Sequence, residues 1–183
     1  MIKKFLFSTL LVLCSFGIIF AQSKTKPTNK LEDPDNLASQ YFSQVMGVAV
    51  SATSNLKLYK FIYEWIGTPY SFGGNTKKGI DCSAFAKTIY DKVFNTTILR
   101  SSRDIFTMVD PLSKDELKEG DLVFFKIKSR SISHVGVYLG DNRFAHSSSG
   151  GVKISNLNEP YYSRYFYKGG RILEATKKDF VEE

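Results

Sequence analysis

Two cysteines and two histidines stand among the 183 residues: Cys14, Cys82, His134 and His146. A thiol and two imidazoles suffice for nucleophilic catalysis, in which a thiolate attacks a carbonyl, one imidazole moves the proton and a second polar group orients that imidazole. Cys82 opens a segment in which positions 82, 85, 86, 89 and 93 share one helical face, with Asp81 placed to cap it. A thiol in the first turn of a helix gains thiolate stabilisation from the macrodipole and from an imidazolium beside it, so a lowered pKa is expected. The unpaired N–H groups of the same turn can supply part of an oxyanion hole.

The histidines sit in strand-like segments. In Ser133-His134-Val135-Gly136-Val137-Tyr138-Leu139 the three aliphatic residues share one face, and His134 lies on the other with Gly136 and Tyr138. The next segment carries Phe144 and His146 on one face. A hairpin centred on Gly140 would set the two histidines directly opposite one another, with Cβ atoms about 4.5–5.5 Å apart. Cys82 as nucleophile, His134 as base and His146 as its orienting partner then form a complete set. Zinc is the competing chemistry, but one cysteine and two histidines without a CxxC or HxxxH pair fall short of the usual ligand set, and no metal or cofactor is expected.

The elements that must position these groups are legible in outline. Leu58, Phe61, Ile62 and Trp65 recur at helical spacing and stop at Gly67, which predicts a helix over about 55–66. A loop rich in turn formers, Gly67 to Gly79, leads into the Cys82 helix. A short helix is expected after Ser101-Ser102, and Ser113 to Glu116 has capping-box spacing. From Gly120 onward the pattern is of short strands: 122–126, 132–139, 143–147, 152–154 and 171–173, punctuated by Gly140-Asp141-Asn142, Gly150-Gly151 and Gly169-Gly170. Helices first and strands after indicate an α+β domain with a mostly antiparallel sheet.

The chain's length suits one such domain, and with 43% apolar residues it can bury a sizeable core. Residues 1–21, with Lys3-Lys4, an apolar run from Phe5 to Phe20 and Ala21, read as a signal peptide, so export is expected with no stable membrane insertion after cleavage. The alternatives are an uncleaved anchor and a lipoprotein built on Cys14, although Leu13 stands where lipoprotein signals place a small residue. Cleavage leaves Cys82 as the mature chain's one thiol, with no intramolecular partner. It also leaves 23 basic against 18 acidic residues, a net charge of +5. That charge suits an anionic cell envelope, and no Lys/Arg run interleaved with aromatics points to nucleic acid. Residues 22–50 read as a linker and N-terminal extension, 51–175 as the domain and 176–183 as a tail.

Four ordered motifs carry a family resemblance: Gly67-Thr-Pro-Tyr70-x-x-Gly73-Gly74 running into Gly79-Ile-Asp81-Cys82-Ser83-Ala84-Phe85, then Gly120-Asp-Leu-Val-Phe-Phe125, then Ser133-His134-Val-Gly-Val-Tyr-Leu-Gly140, then Phe144-Ala-His146-Ser-Ser148. They resemble the NlpC-type papain-like cysteine peptidases of bacterial cell walls, over about residues 55–175. Asn158-Glu159-Pro160-Tyr161 is similar to the murein endopeptidase branch, and Ala84 stands where many members carry Gly. The resemblance implies a papain-like fold, helices packed on a five- to six-stranded sheet, and peptidoglycan as the partner. It implies Cys82 as nucleophile, His134 as general base and His146 as third polar member. It further implies that Tyr70 assists the oxyanion or substrate, that Asp81 and Ser83 shape the pocket, and that Arg100, Ser101 and Ser102 face the substrate. Beside hydrolysis stand two other readings, a catalytically silent wall-binding module and a thiol acyltransferase.

Overall fold

The computed structural model describes residues 33–173. The segment read as a signal peptide, with Cys14, the first part of the stretch read as linker and N-terminal extension, and the stretch read as a tail lie outside them. In chain order the elements are α1 (Leu37–Met46), α2 (Leu56–Trp65), the two-residue strands β1 (Asn75–Thr76) and β2 (Gly79–Ile80), α3 (Cys82–Phe94), α4 (Ser102–Phe106), β3 (Val109–Leu112), a 3₁₀ turn (Lys114–Glu116), β4 (Leu122–Phe125), β5 (His134–Gly140), β6 (Arg143–Ser148), β7 (Gly151–Asn156), α5 (Pro160–Tyr165) and β8 (Phe166–Ile172). The sheet is antiparallel in the order β3-β8-β4-β5-β6-β7, and β1 and β2 pair separately. This is the expected α+β arrangement with six strands.

Alternation along the central strands divides the apolar side chains between two faces. Leu122, Phe124, Val135, Val137, Leu139 and Ala145 join the buried faces of α2 and α3 in the main core, which includes Leu58, Tyr59, Ile62, Phe85, Ala86 and Ile89. Val123, Phe125, Tyr138 and Phe144 point the other way and pack with Tyr162 of α5. The sequence reading assigns no element to residues 37–50. There the structure has α1, whose Phe42 and Met46, with Val48 and Val50, join the main core.

Two further elements are additions to the sequence reading. β3 forms an edge strand on β8, and α5 begins at Pro160, whose fixed φ suits a first helical position. The Gly169-Gly170 pair, read as punctuation, lies inside β8. A Cβ at 169 would meet Leu112 Cβ at 3.2 Å, and one at 170 would meet Phe124 Cε2 at 3.0 Å, so the pair marks close packing in place of a turn.

The loop that delivers Cys82 is fastened to the sheet. Gly67 N–H donates to the Val152 carbonyl and Val152 N–H to the Thr68 carbonyl, both at 2.9 Å, which closes the exposed edge of β7. Ser147 Oγ donates to the Ile80 carbonyl at 2.7 Å. Tyr70 bridges Ile80 in parallel.

Candidate active site

α3 begins as its sequence requires. Asp81 is its N-cap, with Oδ1 accepting from the Ala84 N–H at 2.7 Å. The same carboxylate accepts from Ser83 Oγ, from both terminal nitrogens of Arg100 (2.9 and 2.6 Å) and from the Gly73 N–H (3.0 Å). Burial opposes ionisation of Asp81, but the hydrogen bonds from Arg100, Ala84 and Ser83 outweigh it and hold the carboxyl below its ordinary range. Asp81, Ser83 and Arg100 thus lock one another and tie the glycine loop to the helix that carries the thiol. Ser101 caps α4 through Asp104.

Cys82 is buried, and burial is the main influence on its thiol, pushing its pKa up; the Val135 N–H opposes that. A helix N-terminus favours a lowered thiol pKa, but here the balance runs the other way because desolvation exceeds what the backbone N–H groups return. Val135 is the second residue of β5, so the thiol lies near the start of that strand.

The histidines touch by a route other than the expected one. His134 Nε2 and His146 Nδ1 are 2.8 Å apart, with the rings edge-on at 88°. They are not directly opposed. Val137 pairs with Ala145 and Tyr138 with Phe144, a register that carries His146 to Gly136 and leaves His134 on the diagonal. The turn residues Asp141 and Asn142 both have positive φ (49° and 59°), as a two-residue primed hairpin turn demands, which moves the centre past Gly140; an irregularity between Tyr138 and Gly140 completes the shift. Gly136 makes the diagonal contact feasible. A Cβ there would stand 2.7 Å from Phe144 Cδ2 and 3.2 Å from His146 Cβ.

Beyond His146 the contacts continue to Ser155 Oγ at 3.1 Å and Tyr162 OH at 3.3 Å, both at Nε2. Sequence reasoning passed over these two residues, since they arrive from β7 and α5 and carry no local signature. Both imidazoles are held neutral. Burial lowers the His134 pKa to about 4, with the Lys153 ammonium adding to the effect. Burial also holds His146 well below the ordinary range, reinforced by His134 and Lys153. A lone thiolate or a lone imidazolium is therefore disfavoured here. A proton passed from thiol to imidazole would create both charges together, each offsetting the other.

Two cavities meet at these groups, sharing Tyr70 and Ser133. One, of about 670 Å³, is lined by Tyr70, Asp81, Cys82, Ser83, Arg100, Ser101 and Ser102 among others. The second, of about 730 Å³, contains His134, His146, Lys153 and Tyr161. The pKa of the Tyr70 hydroxyl is raised by burial and by the nearby Cys82 and Asp81. The nine residues given catalytic or substrate-facing roles from sequence all line one cavity or the other. Among the described residues no group of three or more His, Cys, Asp or Glu side chains is placed to hold a metal ion.

Residues 67–171 match the profile of the NlpC/P60 family, more than half of the chain. The chain belongs to the NlpC/P60 family. Among the relatives of this NlpC/P60 domain, a probable endopeptidase NlpC homolog of Haemophilus influenzae is 44% identical over 134 residues, 72% of this chain and 71% of that protein. The murein DD-endopeptidase MepS/murein LD-carboxypeptidase of Escherichia coli K12 is 41% identical over 114 residues, 62% of this chain and 60% of the relative's length. A crystal structure of an NlpC/P60 family protein from Bacillus cereus superposes with a TM-score of 0.58 at 34% identity, covering 64% of this chain and 39% of the other. The matched NlpC/P60 region contains Cys82, His134 and His146.

Proposed function

We propose that the chain is an exported cysteine endopeptidase that hydrolyses an amide bond in peptidoglycan stem peptides or their cross-links, at D-alanyl–diaminopimelate or D-glutamyl–diaminopimelate. The observation that carries this is the 2.8 Å His134–His146 contact in one cavity, together with a thiol at a helix start that lines the adjoining cavity. Relatives whose names state endopeptidase activity on murein support the substrate class.

With Nε2 of His134 turned to His146, Nδ1 is the nitrogen left for the thiol. Cys82 passes its proton to His134 as sulfur attacks the carbonyl, and the C–S bond forms as the carbonyl oxygen gathers charge. The first-turn N–H groups of α3, with the Tyr70 hydroxyl, stand to stabilise that oxygen. Collapse breaks the C–N bond, and His134 returns the proton to the leaving amine. Water, deprotonated by His134, then releases the acyl group and restores the thiol. Asp81, Ser83 and Arg100 act as one hydrogen-bonded wall of the acyl-side cleft, with Ser101 and Ser102 beside it. No metal enters the scheme.

Export rests on the apolar run and Ala21 of the sequence; no helix among the described residues is long and apolar enough to cross a membrane. Mass spectrometry of peptidoglycan digests should show new peptide fragments with the mature protein and none with Cys82→Ala. Full activity in Cys82→Ala, or loss of activity on chelation, would overturn the reading.

A further inference from the structure

The two cavities divide the reaction between them. In thiol acyl transfer the acyl half of the substrate stays on sulfur, and the amine half must lie where His134 can hand its nitrogen a proton. The cavity with the histidines therefore receives the amine half. Its lining holds a cation whose ammonium has no hydrogen bond or ion pair among the described residues: Lys153, paired directly with His146 across β6 and β7. That ammonium is close enough to disfavour protonation of both imidazoles. Two residues along β6 from His146, Ser148 has a buried hydroxyl with no hydrogen-bond partner among the described residues. Opposite Ser148 stands Gly151, where a Cβ would meet the Thr68 carbonyl at 2.7 Å. The acidic side chain of the lining, Glu159, is engaged at Oε1 by the Asn156 N–H at 2.6 Å.

A free ammonium and an unused hydroxyl on one wall, beside the groups that protonate the leaving nitrogen, match an anion attached close to that nitrogen. Resting on the peptidase reading above, we infer that Lys153, with Ser148, recognises a free carboxylate on the carbon next to the scissile nitrogen of the leaving amine. The carboxylate accepts from the ammonium and from Ser148 Oγ, a charge-assisted arrangement at a partly desolvated site. The chemistry selects between the two candidate bonds. In a D-alanyl–diaminopimelate cross-link the carbon bearing the scissile nitrogen carries a free carboxylate. In a D-glutamyl–diaminopimelate bond the corresponding carboxyl is already an amide whenever a further residue follows.

The test uses D-alanyl–diaminopimelate peptides with that carboxylate free or converted to the amide. Wild type should cleave the free form with at least tenfold higher kcat/KM, and the Cys82→Ala protein should bind it about tenfold more tightly by calorimetry. Lys153→Gln should erase both preferences, and Lys153→Arg should keep most of each. Lys153 is exposed, so these variants should fold, which unchanged thermal unfolding will verify. Equal handling of the two forms by the wild-type and Cys82→Ala proteins, or an undiminished preference in Lys153→Gln, overturns the inference. If wild type cleaves neither form while Cys82→Ala binds the free form through Lys153, the carboxylate site stands and the peptidase reading falls.

Discussion

In the proposed mechanism His134 acts as base toward Cys82, which requires its proton on Nε2, where it donates to His146 Nδ1. His146 must then carry its own proton on Nε2, facing Ser155 Oγ and Tyr162 OH at 3.1 and 3.3 Å. Those hydroxyls act as acceptors for a buried N–H and so select the tautomer two residues away from the thiol. Removing both leaves that N–H without a partner, at a cost of about 1–3 kcal/mol, and favours the alternative in which His146 donates to His134 and moves the His134 proton to Nδ1. Combined Ser155→Ala and Tyr162→Phe should lower kcat about 10- to 100-fold, by that energy, with KM nearly unchanged. Alkylation of Cys82 by iodoacetamide at neutral pH should slow in step. Either single change should cost less than the pair, and a double variant with wild-type kcat would remove the two hydroxyls from the account. The candidate nucleophile and base could be proposed from sequence because they lie in compact local motifs. Ser155 and Tyr162 could not, because their contribution exists only once β7 and α5 are folded against β6.

Among the elements, legibility follows locality in the same way. α3 could be read from its period and its Asp81 cap, both set by neighbours in sequence. α1 could not: Leu37, Tyr41 and Val45 are exposed while Phe42 and Met46 are buried, so apolar residues fall on both faces and the helical period blurs. The β5–β6 register was missed by two positions because it depends on which residues occupy the turn, and strand alternation is unchanged by a shift of two. What the diagonal register requires is a glycine across from His146. In Gly136→Ala the new methyl would press on Phe144, the Ala145 carbonyl (2.9 Å) and His146. Stability should fall by about 1–3 kcal/mol, the usual cost of overpacking. A displacement of His146 approaching 1 Å should lower kcat up to 100-fold. Chemical denaturation and steady-state kinetics on one preparation measure both effects, and Cys82 should still be alkylated in the folded protein, since the helix that carries it is untouched. Wild-type kinetics in this variant would show that the close approach at Gly136 has no bearing on the imidazoles.

Across the whole molecule, the site draws its thiol from α3, its imidazoles from β5 and β6 and its outer hydroxyls from β7 and α5, so its geometry depends on how those elements pack together. The cost is that two histidines must stay neutral inside it: His146 is fully buried and His134 is 8% exposed. The unfolded chain protonates histidine near the ordinary 6.5, whereas the folded protein resists until about 4 at His134 and well below the ordinary range at His146. Between those values the unfolded state binds more protons, so stability declines as pH falls from about 6.5 towards 4 and is insensitive to these groups above 7. For His134 alone the decline amounts to roughly 3 kcal/mol. Asp81 acts in a lower window, because its folded pKa lies below the carboxylate range and its contribution is lost only as pH drops through that range. Urea unfolding of the Cys82→Ala protein, which removes the thiol from the titration, should therefore show a falling midpoint from pH 6.5 to 4. Replacing His134 by Asn in that background should flatten the slope, whatever it does to the absolute stability. A midpoint independent of pH over this range would mean that the imidazoles are protonated in the folded state, and the neutral thiol–imidazole resting pair would have to be abandoned with it.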